Sequence, residues 1–280
     1  MGCSPRIWTR KRFWTGACGK RPSQRWGPEL LTRIEEVSKT YQNGRTEPLR
    51  ALAGVSLELG PHEFVCMVGP SGCGKSTLLS IVAGLLEPSS GAVVFEGAEP
   101  GRPPTGMVFQ DLGLFPWRTV ERNVAYGLEE LHIGRAGRRA RVRELISMVG
   151  LEGFENRFPH ELSGGMRQRA AMARALATDP ALLLMDEPLS SLDAQTRQEM
   201  QMELCRLYEA GGRSFLYVTH DVEEAIFLGD RVVVLSPRPG RVVEIIRVGL
   251  PRPRSHALRT QITFNSLVGQ VGRLLRGDGN

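Results

Sequence analysis

The sequence predicts an α/β fold, and three stretches carry that expectation. An apolar run at 64–68 passes through a glycine-rich turn into a second apolar run at 78–83, the order strand, turn, helix. A continuous apolar run at 181–185 fits a parallel strand covered on both faces, and it ends in the carboxylates Asp186 and Glu187. A third run, 214–219, ends in His220-Asp221. Sheets of this class place their ligand crevice outside the carboxyl ends of the strands, so polar residues at those ends have a task to perform.

The turn after 64–68 reads Gly69-Pro-Ser-Gly-Cys-Gly-Lys75-Ser76-Thr77, a match to G-x-x-x-x-G-K-[ST] in its required strand–helix context. Its glycines let successive backbone N–H groups point into one concavity, which suits a polyphosphate. The dipole of the following helix adds positive potential at the same place. Lys75 can reach the β- and γ-phosphates of a nucleotide, and the Ser76 hydroxyl is placed to ligate Mg²⁺. Nine residues, Gly69, Pro70, Ser71, Gly72, Cys73, Gly74, Lys75, Ser76 and Thr77, therefore form the expected nucleoside triphosphate site.

Composition sets the bounds. The chain has 280 residues, 41% apolar and 24% charged, ordinary values for a globular chain with a sizeable core. It has no run of about 18 apolar residues, so no membrane span is expected. The formal charge of +6 is concentrated in residues 1–28, which hold seven basic residues and no acid. The remainder is close to neutral and gives no argument for nucleic acid. Residues 1–28 read as a basic, disordered leader without the apolar centre of a secretory signal. Five cysteines (Cys3, Cys18, Cys66, Cys73 and Cys205) fall in no metal-ligand spacing, which fits free thiols in a reducing compartment.

In chain order, 31–37 and 51–59 alternate as half-buried antiparallel strands do, with Asn43-Gly44 as a turn signal between them. Tyr41 follows the first strand, where its ring can stack on a nucleobase or simply pack. The break Pro88-Ser-Ser-Gly91 precedes a strand at 92–96, and 106–110 reads as a short strand ending at Gln110. From 112 to 160 the composition is helical and charged, with Arg135, Arg138, Arg139, Arg141 and Arg143 as the solvated face of one helix. Residues 162–169 run into the strong helix former 170–177, and Ser163-Gly164-Gly165, opening that helix, makes a second anion-binding nest at a helix N-terminus. Asp186 can hold a Mg²⁺ shell, and Glu187 can orient or deprotonate an attacking water. Asp193 leads into a helix reaching about residue 209, and His220 can bond a phosphate or the water, or serve structure alone. Residues 231–236 and 241–249 form a hairpin across Pro237-Arg-Pro-Gly240. After Pro251 and Pro253 comes an amphipathic helix with Leu258, Ile262, Phe264, Leu267, Val268, Val271 and Leu274 on its apolar side.

Taken together, the phosphate loop, Gln110, Leu162-Ser-Gly-Gly-Met-Arg-Gln168, Asp186-Glu187, Ser-Ser-Leu-Asp193 and Thr-His220 stand in the order of an ABC transporter ATPase subunit, which residues 30–250 resemble. The resemblance implies a RecA-like P-loop ATPase core with an antiparallel β-subdomain and an inserted α-helical signature subdomain. It implies an ATPase domain over 29–250, its helical part at about 112–170, followed by a helical tail at 251–280. ATP and Mg²⁺ are the implied cofactors. The implied roles are Tyr41 stacking adenine, Gln110 linking Mg²⁺ and water to the transporter, Asp186 on Mg²⁺, Glu187 as general base and His220 as γ-phosphate switch. Ser163 and Gly165, with Gly164 between them, would meet the γ-phosphate bound by a second subunit in a head-to-tail dimer. Leu114-Phe-Pro-Trp117, Asn123-Val-Ala-Tyr-Gly-Leu128 and Ser236-Pro-Arg-Pro-Gly-Arg241 are similar to segments of nitrate, sulfonate and taurine import ATPases. That subfamily implies integral-membrane permease subunits as partners, a periplasmic or extracellular solute-binding protein acting indirectly, and a peripheral place on the cytoplasmic face of the inner membrane. The rival reading, a soluble ABC ATPase acting on nucleic acid or ribosomes, fits less well, because the chain has one signature and no sustained heptads.

Overall fold

The computed structural model describes residues 30–42, 47–98 and 103–277. The leader at 1–28 and the Asn43-Gly44 turn lie outside the described residues. Two sheets organise the chain. Strands β1 (Leu31–Tyr41), β2 (Leu49–Leu59) and β4 (Ser90–Glu96) make an antiparallel sheet in the order β2-β1-β4. Strands β3 (Phe64–Val68), β5 (Thr105–Val108), β6 (Leu182–Asp186), β7 (Ser214–Val218), β8 (Arg231–Leu235) and β9 (Val242–Arg247) make a six-stranded sheet in the order β5-β6-β7-β3-β8-β9. Its first five strands are parallel and β9 returns antiparallel, as the 231–249 hairpin expectation required.

Every residue of β3, β6 and β7 is buried, which explains why these strands read as unbroken apolar runs instead of alternating ones. Helix α1 (Lys75–Val82) follows the phosphate loop. Helices α2 (Val120–Glu130), α3 (Arg135–Met148) and α4 (Gly164–Leu176) pack together beside the β5–β6 edge. Each strong N-cap uses a short side chain: Thr119 accepts from Arg122, Ser163 from Met166 and Asp193 from Thr196, the last opening α5 (Ala194–Glu209). Arg135, Arg139 and Arg143 are exposed on α3, while Arg141 turns back to Glu144 and Asp179. No described helix is long and apolar enough to cross a membrane.

Three expectations need correction. Strand β5 stops at Val108, and Gln110 lies exposed in the turn that follows. Strand β1 runs on to Tyr41, so that residue closes the strand instead of following it. The C-terminal segment is not one helix: Leu258 sits in a 3-10 turn, and helix α7 (Ile262–Arg276) begins after it. Ile262 is then 87% exposed, because it lies two residues, more than half a helical turn, from Phe264 on the buried stripe.

The segment after β9 is tied down on both sides of the chain's last turns. Asp230 accepts from Phe64 N, Tyr208 Oη and Arg252, and buried Arg254 donates to Gly229 O at 2.8 Å. Burial, with the Asp230 carboxylate bonded to it, pushes the Tyr208 phenol well up. Helix α6 (Val222–Leu228) packs against α7, and Phe264 and Val271 belong to the main core. Truncating Phe264, which is 1% exposed, to alanine should cost about 3–5 kcal/mol, the usual loss for a buried aromatic ring. Urea unfolding of Phe264→Ala checks this, and a midpoint equal to the parent's would mean that α7 is not part of the cooperative unit.

Candidate nucleotide site

Strand register decides which residues meet. Val108 lies opposite Met185, Asp186 opposite Val218, and Met67 opposite Val218 on its other side. The chain leaving β3, β5, β6 and β7 therefore emerges on one edge, carrying the phosphate loop, Gln110, Asp186-Glu187 and His220 respectively. A broad groove lined by Glu63, Tyr208, Asp230, Arg252 and Arg254 lies instead where β3 and β8 begin, at the opposite edge.

The phosphate loop owes its shape to glycines that cannot be replaced without strain. Gly72 and Gly74 hold φ of +74° and +102°, and a Cβ on Gly74 would stand 2.8 Å from Ala51 O. Lys75 is buried, its ammonium donating to Gly69 O at 2.8 Å and Pro70 O at 3.1 Å. Ser76 Oγ donates to Asp186 Oδ1 at 3.0 Å, joining the first turn of α1 to the end of β6. Burial pushes the Asp186 carboxyl up, the Ser76 bond pulls it down in part, and the neighbouring Glu187 charge raises it further. Tyr41 Oη lies 3.3 Å from Thr77 Oγ1, placing the ring at the side of the loop.

Glu187 has φ +43°, uncommon for a residue with a side chain. Its backbone N–H is spoken for by Val218 O at 2.9 Å, and its Oε2 lies 2.9 Å from His220 Nδ1. That pair faces out of the sheet edge beside Asp186, with His220 largely exposed and Glu187 mostly covered. The structure thus brings together Lys75 with the loop, Ser76 with Asp186, Tyr41 with Thr77, and Glu187 with His220. It does not bring Ser163, Gly164 or Gly165 to this edge: among the described residues they make no hydrogen bond to the loop, and both glycines face the start of α5 at Leu192 and Thr196.

Three polar residues at or beside the site carry no motif of their own. Arg174 of α4 donates to Leu112 O and Gly113 O and lies over the Phe115 ring. Asn123, fully buried, accepts from Phe115 N at 2.8 Å and donates to Arg118 O at 2.9 Å. Between them they pin the stretch after Gln110, from which Trp117 stands 71% exposed. The third, Arg238, donates from Nε to Gly72 O at 2.9 Å. Only the resemblance of 123–128 and 236–241 to import-ATPase segments marked two of these stretches, and nothing in the sequence marked Arg174.

Comparison with known proteins gives this geometry its family. A family profile described as "ABC transporter" matches residues 52–190. An uncharacterized ABC transporter ATP-binding protein of Methanocaldococcus jannaschii is 48% identical over 253 residues, 89% of this chain and 93% of its own. The taurine import ATP-binding protein TauB of Burkholderia pseudomallei is 47% identical over 79% of this chain and 86% of its own. The nitrate import ATP-binding protein NrtC of Synechococcus elongatus is 49% identical over 73% of this chain, which covers 32% of that longer protein. Among solved structures, a dimeric ATP-binding cassette in a post-hydrolysis state with ADP and Pi superposes with a TM-score of 0.68 at 35% identity, over 78% of this chain and 98% of that one. With a phosphate loop, an Asp-Glu strand end and a histidine gathered on one edge of this cassette, the chain belongs to the ABC transporter ATP-binding family and is an ATP-binding ATPase of it.

Proposed function

We propose that this chain is the ATP-hydrolysing subunit of an ABC importer for a small solute of the taurine, sulfonate or nitrate kind, working through a separate permease. The observation that carries the enzymatic part is the pairing of Ser76–Asp186 with Glu187–His220 at one strand edge. The import assignment is supported by relatives named for taurine and nitrate import and by the exposed Trp117 beside Gln110.

Lys75 and the backbone N–H groups of 71–75 bind the polyphosphate. The Ser76 hydroxyl and Asp186 carboxylate, hard oxygen donors 3.0 Å apart, suit Mg²⁺, with the Gln110 amide on the same edge as a further oxygen. Mg²⁺ held there would neutralise charge on the transferring phosphoryl group. Glu187 takes the proton of the attacking water, and His220, donating from Nδ1 in the matching tautomer, fixes the orientation of that carboxylate. Tyr41 flanks the base. Ser163, Gly164 and Gly165 complete the site of a second subunit in a head-to-tail dimer, because they open a helix N-terminus that is not used by their own loop. The subunit sits peripherally at the cytoplasmic face of the cell membrane, with Trp117 seated against the permease and a solute-binding protein on the far side.

Glu187→Gln should bind ATP normally and hydrolyse it about 10²–10⁴-fold more slowly, the value of a positioned base. Steady-state phosphate release together with ATP titration tests this, and near-parental turnover removes Glu187 from the role. The same variant should dimerise with ATP in light scattering, and adding Ser163→Arg should prevent it.

The raised Asp186 pKa has its own signature. A carboxyl whose pKa is higher folded than unfolded holds its proton more tightly in the fold, so stability falls as pH rises above the ordinary carboxylate range of about 3.9. Asp186→Asn, measured without nucleotide, should therefore melt higher than the parent at neutral pH and equally at low pH. Mg²⁺ with ATP should then lift the parent far more than the variant. A variant that melts lower at neutral pH contradicts the assignment.

Trp117→Ala should leave the isolated subunit folded and its basal ATPase unchanged, while solute-stimulated hydrolysis with permease and binding protein in vesicles falls. Loss of an interface aromatic costs about 2 kcal/mol or more. Undiminished stimulation would place the coupling contact elsewhere.

A further inference from the structure

The geometry points to Arg238 as a positioning residue for nucleotide: it locks the Gly72–Cys73 peptide of the phosphate loop in the orientation that faces an N–H, not a carbonyl, toward the anion. This rests on the reading that residues 69–77 hold the nucleotide.

In a trans peptide the C=O of one residue and the N–H of the next point in opposite directions. Arg238 Nε holds Gly72 O on the outer side of the loop at 2.9 Å. The Cys73 N–H must then point the other way, and it donates to Pro70 O at 3.2 Å, the carbonyl that also receives the Lys75 ammonium, so a phosphate seated in the loop would take this N–H and the ammonium over from that carbonyl. Turning this peptide over would present an oxygen to the phosphates. Gly72, with no Cβ and φ +74°, offers little resistance from its own side. The guanidinium lies so close that a Cβ on Gly72 would stand 2.6 Å from Arg238 Nη2, so it closes the space through which that residue would move.

An exposed arginine holds a loop only if its own backbone is fixed, and this one is. Pro237 and Pro239 flank it, each with its φ set by a ring. Ser236 Oγ lies 2.9 Å from Pro237 O and 3.1 Å from Pro239 O and accepts from Arg241 N at 3.0 Å. Gly240 exchanges hydrogen bonds with β2, donating to Ala51 O at 2.9 Å and accepting from Ala53 N at 3.0 Å. No side chain fits at Gly240 against the Cys73 carbonyl. The β8–β9 turn is thus built onto the outside of the phosphate loop, and Arg238 is the one side chain of that turn that bonds to it among the described residues.

The test uses the full chain with Arg238→Ala, Arg238→Gln and, in parallel, Lys75→Ala. Calorimetric titration with Mg²⁺-ATP and Mg²⁺-ADP should show affinity about 3–10-fold weaker for Arg238→Ala, the range of one hydrogen bond. Its KM should rise by the same factor with kcat within about twofold, and its melting point without nucleotide should match the parent. Amide exchange over 69–75 without nucleotide should be faster. Arg238→Gln, a neutral donor able to reach Gly72 O, should recover most of the affinity. Parental affinity in Arg238→Ala, a fall in kcat with KM unchanged, or a glutamine variant as weak as alanine each overturns the lock. If Lys75→Ala also binds at parental strength, the nucleotide reading itself is wrong, and the two failures are told apart.

Discussion

Five parallel strands that share one sheet must all end on the same edge, and everything chemical in this protein hangs from that constraint. The register Asp186 opposite Val218 opposite Met67 leaves no freedom: a carboxylate after β6, a histidine after β7 and a phosphate loop after β3 converge because the strands are in step. The Ser76–Asp186 bond then crosses β7 from one side of the edge to the other and ties the first turn of α1 to the end of β6. A one-residue slip of β6 would turn Asp186 to the other face and undo this contact.

The edge is held at some cost in local comfort. Glu187 has left-handed φ, Asp186 is a carboxylate pushed toward its neutral form by burial, and the Lys75 ammonium is folded against two carbonyls. Such features persist only where the surroundings over-determine them, and here the surroundings are three strands with no exposed residue.

What the sequence disclosed followed from locality. Gly69–Thr77, Ser163-Gly164-Gly165 and Asp186-Glu187 are each motifs of consecutive residues, and the buried strands show as unbroken apolar runs. Gln110 was legible as a polar residue at a strand end, but not that β5 would stop two residues sooner. Ile262 was misplaced because an apolar residue at a helix start fits several helical phases until the first turn is fixed. The bonds made by Arg174, Asn123 and Arg238 were illegible for a different reason, although the resemblance marked the stretches that hold the last two. Each acts on the backbone of a segment dozens of positions away or held by a loop, so its partner is a carbonyl or N–H that every residue type possesses. No pattern of side chains records such a bond.

The order β7-β3-β8 has a consequence for how the chain is made. Strand β3 is flanked only by β7 and β8, and residues 69–213 separate it from the nearer of them in sequence. At roughly 5–20 residues per second, a ribosome needs about 7 to 30 s to deliver Ser214–Val218 after Phe64–Val68 has been joined. During that interval the most apolar strand of the sheet, with the phosphate loop at its end, has no neighbour to pair with. The antiparallel β2-β1-β4 sheet is complete by Glu96 and is available long before. Vectorial synthesis therefore makes the strands of the smaller sheet available first, while the edge that carries the phosphate loop waits for β7 and then β8 before β3 has both its neighbours.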